Sequence, residues 1–199
     1  PGMGYGEQAA DVLETLGRRD ALPAALVGHS MGGKVAMCLA LQSPDAVSRL
    51  VICDIAPVTY LPHFRDYARA MMDLDLAPGL TRAEADAALA ASVPEPAVRA
   101  FLLQNLSLGA RPQWRIGLGE IAAALPEIEG WDAPAGADYA GPALFLGGDH
   151  SDYVRPEHRP AIRALFPAAR FVTLKNAGHW LHADQPEAFV SAVDAFMSG

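Results

Sequence analysis

The chain has 199 residues, 51% of them hydrophobic and 19% charged, with a formal net charge of −8 and a pI near 5.1. That balance describes a well-cored globular domain and excludes a disordered tail. The acidic surplus argues against nucleic acid or an anionic membrane surface as the main partner, because each needs a basic face.

Residues 1–6 carry three glycines and read as loop. From Glu7 to Arg19, the residues Ala9, Val12, Leu13 and Leu16 recur at helical spacing. The apolar run Ala24 to Val27 then enters Gly28-His29-Ser30-Met31-Gly32-Gly33, and a helix-forming run leaves it from Lys34 to Leu41. A strand turning sharply into a helix with a serine at its apex is the G-x-S-x-G nucleophile elbow. Gly28 and Gly32 are expected where a side chain would collide with the neighbouring backbone. The turn exposes the Ser30 hydroxyl and aims the Met31 N–H at a forming oxyanion.

A short run buried on both faces, Leu50 to Cys53, predicts a strand over Arg49 to Ile55 that ends on Asp54 and Pro57. A carboxylate at the C-terminal end of a parallel strand stands at the edge where such sheets carry their sites. From 57 to 140 the pattern is helical with proline breaks: helices near 61–74, from the capping box Thr81 to Glu84 onward, over 95–106 and around 117–125. This stretch is expected to be a helical cap inserted into an α/β core formed by 1–56 and 141–199. Pro142 to Leu146 predicts another buried strand, followed by a helix over 156–166, a strand over 170–174, the loop 175–182 and a closing helix over 185–197. Strands alternating with helices imply a mostly parallel α/β sheet.

No apolar run reaches the roughly 18 residues needed to span a bilayer. With no signal-like opening, and with Cys38 and Cys53 both in apolar surroundings, free thiols in a cytoplasmic protein are expected.

A serine hydroxyl needs a base within hydrogen-bond reach, itself oriented by an acid. Of the histidines His29, His63, His150, His158, His179 and His182, His179 follows the last predicted strand in a Gly-His loop, giving the chain order Ser, acid, His. His29 is expected to line the pocket or pack, and the other four to be surface or cap residues. Asp149, His150 and His158 match no metal-ligand spacing, so no metal is expected.

The segments Gly28 to Lys34, Val51 to Val58, Gly147-Gly148, Ser151 to Val154 and Asn176 to Ala183 resemble the α/β-hydrolase esterases of the bacterial YbfF type and their mitochondrial abhydrolase relatives. The resemblance runs over nearly the whole chain. It implies an α/β-hydrolase fold with a cap and hydrolysis of small-molecule carboxylic esters, or thioesters in some members, with no cofactor. Most α/β-hydrolases place the acid three residues after a glycine that follows the strand here spanning 142–146. Counting from Gly148 gives Ser151. Asp152 and Asp149 flank that position, whereas the YbfF-type resemblance favours Asp54. Ser30, His179 and Asp54 are therefore the expected triad, with Met31 N–H in the oxyanion hole. Phe64, Tyr67, Met71, Met72, Trp114, Tyr153 and Trp180 suit an acyl pocket but serve equally as packing.

Relatives carry further sequence ahead of the first helix, which supplies early strands and a second oxyanion donor. The elbow strand is accordingly expected at an open sheet edge, a pairing hazard, and a homo-oligomer joined near 24–27 or across newly exposed apolar faces is expected. The alternative is a catalytically weak hydrolase-like module that binds or scaffolds. Sedimentation of the 199-residue chain should show a dimer or larger species; a monomer overturns that expectation.

Overall fold

The computed structural model describes residues 2–61, 64–134 and 136–199. The chain divides into two compact units, one made of 1–59 and 130–199 and the other of 60–129.

The first unit is built on a parallel sheet of order β1-β2-β5-β6, with β1 Ala24–His29, β2 Val47–Cys53, β5 Ala143–Gly148 and β6 Ala169–Leu174. Alternation along the strands decides its two faces. Val51 and Cys53 lie opposite Leu144 and Leu146 in register. With Leu174, Leu181 and Phe196 they form one apolar layer, over which Phe189, Val193 and Met197 of the closing helix (Pro186–Ser198) pack. Leu50, Ile52 and Phe145 point the other way and are fully buried. On that side the Phe145 ring stands 5.6 Å from Phe166. The helix after the elbow, α2 (Met31–Gln42), brings Gly33 against Ile52 on the same side. Each buried Leu, Ile or Phe contributes about 1.5–3 kcal/mol, so β2 and β5, buried on both faces, hold the unit together.

β1 forms one edge of this sheet, and its Val27 is half exposed. The first helix, α1 (Tyr5–Gly17), buries Ala9 but leaves Val12 exposed. Among the described residues no helix is long and apolar enough to cross a membrane.

The second unit contains α3 Phe64–Met72, α4 Arg82–Leu89, α5 Pro96–Leu103 and α6 Leu118–Ile128. Two-residue strands, β3 Leu106–Ser107 and β4 Gln113–Trp114, pair antiparallel between α5 and α6. These were beyond the reach of periodicity, because two residues show no alternation. The Thr81–Glu84 capping box forms, with the Thr81 hydroxyl accepting the Glu84 N–H at 3.2 Å. Met71, Leu89, Leu103, Leu106 and Leu118 make the unit's core, and the Trp114 indole donates to the Met71 carbonyl at 3.0 Å. Buried Glu129 accepts the Phe64 N–H at 3.3 Å and the Arg65 guanidinium at 3.0 Å. Met71 and Trp114, two of the acyl-pocket residues of the sequence reading, thus contribute to the packing of this unit.

Lys34 of α2 is 2% exposed, and its ammonium donates to the Gly130 carbonyl at 2.6 Å beside the Tyr5 ring. Burial disfavours the charged form and lowers its pKa from 10.5 to about 8. Between these values the unfolded chain binds more protons than the folded one, so this group makes stability rise with pH. The urea midpoint of the wild type relative to that of Lys34→Met should therefore increase from pH 8 to pH 10; a constant difference would contradict this.

Candidate active site

The elbow forms where the sequence places it. Ser30 lies between β1 and α2 with φ 54° and ψ −123°, a backbone region costly for a non-glycine residue, and its N–H donates to the Cys53 carbonyl at 2.9 Å. Gly28 lies against neighbouring backbone as expected, but Gly32 does not. A Cβ on Gly28 would stand 2.5 Å from the Gly32 carbonyl oxygen, but one on Gly32 would meet nothing within 4 Å. The second tight position is Gly33, where a Cβ would stand 2.5 Å from Ile55 Cγ2 and 3.1 Å from the Gly28 oxygen. One turn into the helix, position 33 faces the sheet and position 32 faces away from it.

Asp54 follows β2 with φ 51° and is fully buried. Its Oδ2 lies 2.8 Å from His179 Nδ1, and His179 Nε2 lies 3.0 Å from Ser30 Oγ. A carboxylate only accepts, so the proton sits on Nδ1 and Nε2 is left to accept from the serine hydroxyl. Asp54 also receives the Gly148 N–H at 3.3 Å and the Ser151 hydroxyl. Desolvating a carboxylate is costly unless its oxygens are hydrogen-bonded, and three donors from two segments meet that need here.

The other two carboxylates that flank position 151 in sequence lie elsewhere. Asp152 is exposed and pairs with Arg155 at 3.2 Å, while Asp149 accepts the Ala177 N–H at 3.3 Å. Ser151, which takes the usual acid position, instead donates to Asp54. Its proximity was readable from the count after Gly148, but its partner was not.

Among the other histidines, His29 Nε2 lies 2.8 Å from the His179 carbonyl oxygen, and its ring packs 5.3 Å from that of His182. Burial lowers the His29 pKa. His150 lies 3.8 Å from Asp149, and His158 Nδ1 accepts the Arg155 N–H at 3.3 Å. His63 lies outside the described residues. Tyr153 stacks on the His179 ring at 4.3 Å, with Trp180 at 6.1 Å. Cys53, next to Asp54, is buried and its thiol is pushed up to about 12, so it stays protonated.

The elbow, the strand-end carboxylate and the imidazole between them are accompanied by similarity along the chain. The model of the α/β hydrolase fold family matches residues 5–186. The chain belongs to the α/β hydrolase fold family. As a member, it is 41% identical over 205 residues to the sn-1-specific diacylglycerol lipase ABHD11 of Mus musculus, covering all of this chain and 66% of that protein. It is 34% identical over 199 residues to esterase YbfF of Escherichia coli, covering all of this chain and 76% of that protein. A solved marine microorganism esterase superposes with a TM-score of 0.91 at 32% identity, over 98% of this hydrolase-fold chain and 77% of the other. The chain thus spans less than two thirds of the length of the diacylglycerol lipases it matches, 66% for the mouse protein and 64% for that of Danio rerio.

Because Gly33 meets backbone and a branched side chain, Gly33→Ala should lower stability by about 1–3 kcal/mol. Gly32→Ala, in open space on a helix, should be neutral or stabilising by up to about 1 kcal/mol. Urea denaturation of the two variants side by side checks the contrast.

Proposed function

We propose that this chain is a serine hydrolase that cleaves carboxylic esters through Ser30, His179 and Asp54. The observation that carries the reading is the continuous hydrogen-bond path Asp54–His179–Ser30, at 2.8 and 3.0 Å. The mouse and Escherichia coli relatives, named a diacylglycerol lipase and an esterase, have the carboxylic ester bond in common, and that bond is the substrate class assigned.

Ser30 Oγ attacks the ester carbonyl as its proton passes to His179 Nε2, already aligned to receive it. The resulting imidazolium is held against Asp54, which remains ionised. The tetrahedral oxyanion takes the N–H of Met31. That residue opens α2, and the first N–H groups of a helix have no carbonyl one turn earlier to bind, while the helix dipole favours negative charge there. Collapse of the intermediate hands the His179 proton to the leaving alcohol and leaves an ester on Ser30. His179 then takes a proton from water, whose oxygen attacks the acyl carbonyl, and the serine is restored with release of the acid.

Asp54 acts on tautomer and charge. With Asn in its place, an amide N–H can face Nδ1 and force the proton to Nε2, where it blocks the base. The helical unit 60–129 is the candidate cap, since the sequence inserts it between the strand that ends at Asp54 and the strand that leads to Ser151.

Turnover of a chromogenic short-chain ester should fall by about 10⁶-fold in Ser30→Ala and by about 10⁴-fold in Asp54→Asn. A binding or scaffold role predicts equal rates for wild type and Ser30→Ala, and that equality would overturn the proposal.

A further inference from the structure

The loop that carries His179 is fixed residue by residue through its backbone. The Asn176 carbonyl accepts from Gln185 Nε2 at 3.2 Å, and the Ala177 N–H donates to Asp149 at 3.3 Å. The Ala177 carbonyl accepts the His150 N–H at 3.0 Å, and the Gly178 N–H donates to Asp184 at 2.8 Å. All these partners lie on the loop after β5 or at 184–185, a few residues beyond His179. The last bond differs, because it joins the His179 carbonyl to His29 Nε2, on the residue immediately before Ser30. A carbonyl oxygen only accepts, so His29 is the donor and its proton is on Nε2.

We infer that His29 is a positioning residue that ties the peptide of the general base directly to the elbow and so sets the approach of His179 Nε2 to Ser30. The inference rests on the proposed serine-hydrolase reading and deepens it. The bond acts through the backbone, whereas Asp54 acts through the imidazole; together they hold the ring from two independent points. With its backbone free to shift, His179 would keep its bond to Asp54 and swing about that contact, lengthening the path to Ser30. Displacements of about 1 Å at a reacting centre cost up to about 100-fold in rate.

The ring charges fit the same role. The His29 ring centre lies 4.8 Å from that of His179 and 5.3 Å from that of His182. Asp54 is the acidic neighbour that acts on His29, and in the reaction it is matched by the His179 imidazolium. A neutral His29 donates its hydrogen bond without placing a second cation against that imidazolium. Burial, and the like charge that His179 and His182 would carry, both favour the neutral form.

The test compares His29→Phe, which keeps an aromatic ring and loses the donor, with His29→Gln, which keeps an N–H donor and is neutral at every pH. In ester turnover, His29→Phe should lose about 10-fold in kcat with KM within about two-fold of wild type. His29→Gln should stay within about three-fold of wild-type kcat. An unchanged kcat in His29→Phe, or equal losses in both variants, would overturn the inference, because packing alone would then account for the residue. A readout independent of these variants' folding and of turnover is the imidazole ¹⁵N spectrum of the wild-type chain. His29 should appear as the neutral Nε2–H tautomer at pH 7, and the Nδ1–H tautomer or a charged ring there would overturn the inference. Wild type and Ser30→Ala run in the same assay separate the two levels. Equal turnover by those two removes the serine-hydrolase reading, whereas Ser30-dependent turnover indifferent to His29 removes only this one.

Discussion

A single buried carboxylate connects the parts of the α/β unit that surround the elbow. Asp54 is fully enclosed, and an enclosed charge is tolerated only when its oxygens are hydrogen-bonded. Its donors come from the β5 loop, through the Gly148 N–H and Ser151 hydroxyl, and from the β6 loop, through His179. The electrostatic need of one oxygen pair thus draws the ends of three neighbouring parallel strands to one point. The imidazole is oriented as a by-product, with its second nitrogen turned to Ser30.

The serine arrives by a steric route. The backbone at Ser30 adopts a positive φ, and the turn closes only because Gly28 and Gly33 let β1 and α2 approach within contact distance. Gly148 does the same for the histidine loop, since a Cβ there would stand 2.2 Å from the Ala177 carbonyl oxygen. Close packing of backbone against backbone sets where the three side chains can meet, and hydrogen bonding then selects how they face one another. His29 and Ser151 belong to this second set of contacts, His29 bonding to the His179 carbonyl and Ser151 to the Asp54 carboxylate.

Local chemistry made much of this legible in the sequence. The strand-to-helix transition around Ser30, the doubly buried runs at 50–53 and 143–146, the alternation of strands and helices, and the Thr81 capping box all depend on residues close together in the chain. The Gly-His loop after the last strand was readable for the same reason. The two-residue β3–β4 pairing was not, because Leu106 and Trp114 are joined only by register across a turn. Nor was it readable which of two glycines faces the sheet, since Gly32 and Gly33 differ by one step of helix rotation.

The sequence by itself determined the fold class and the elbow and narrowed the candidate site to a short set of side chains, because apolar periodicity and turn chemistry act over a few residues. Only the tertiary structure decided that Asp54, and neither Asp149 nor Asp152, lies against His179. It alone joined Ser151 to Asp54 and His29 to the His179 carbonyl. Those pairings span 97 and 150 positions of the chain, and over such separations partners are chosen by how the sheet brings loop ends together, a geometry that no local pattern encodes.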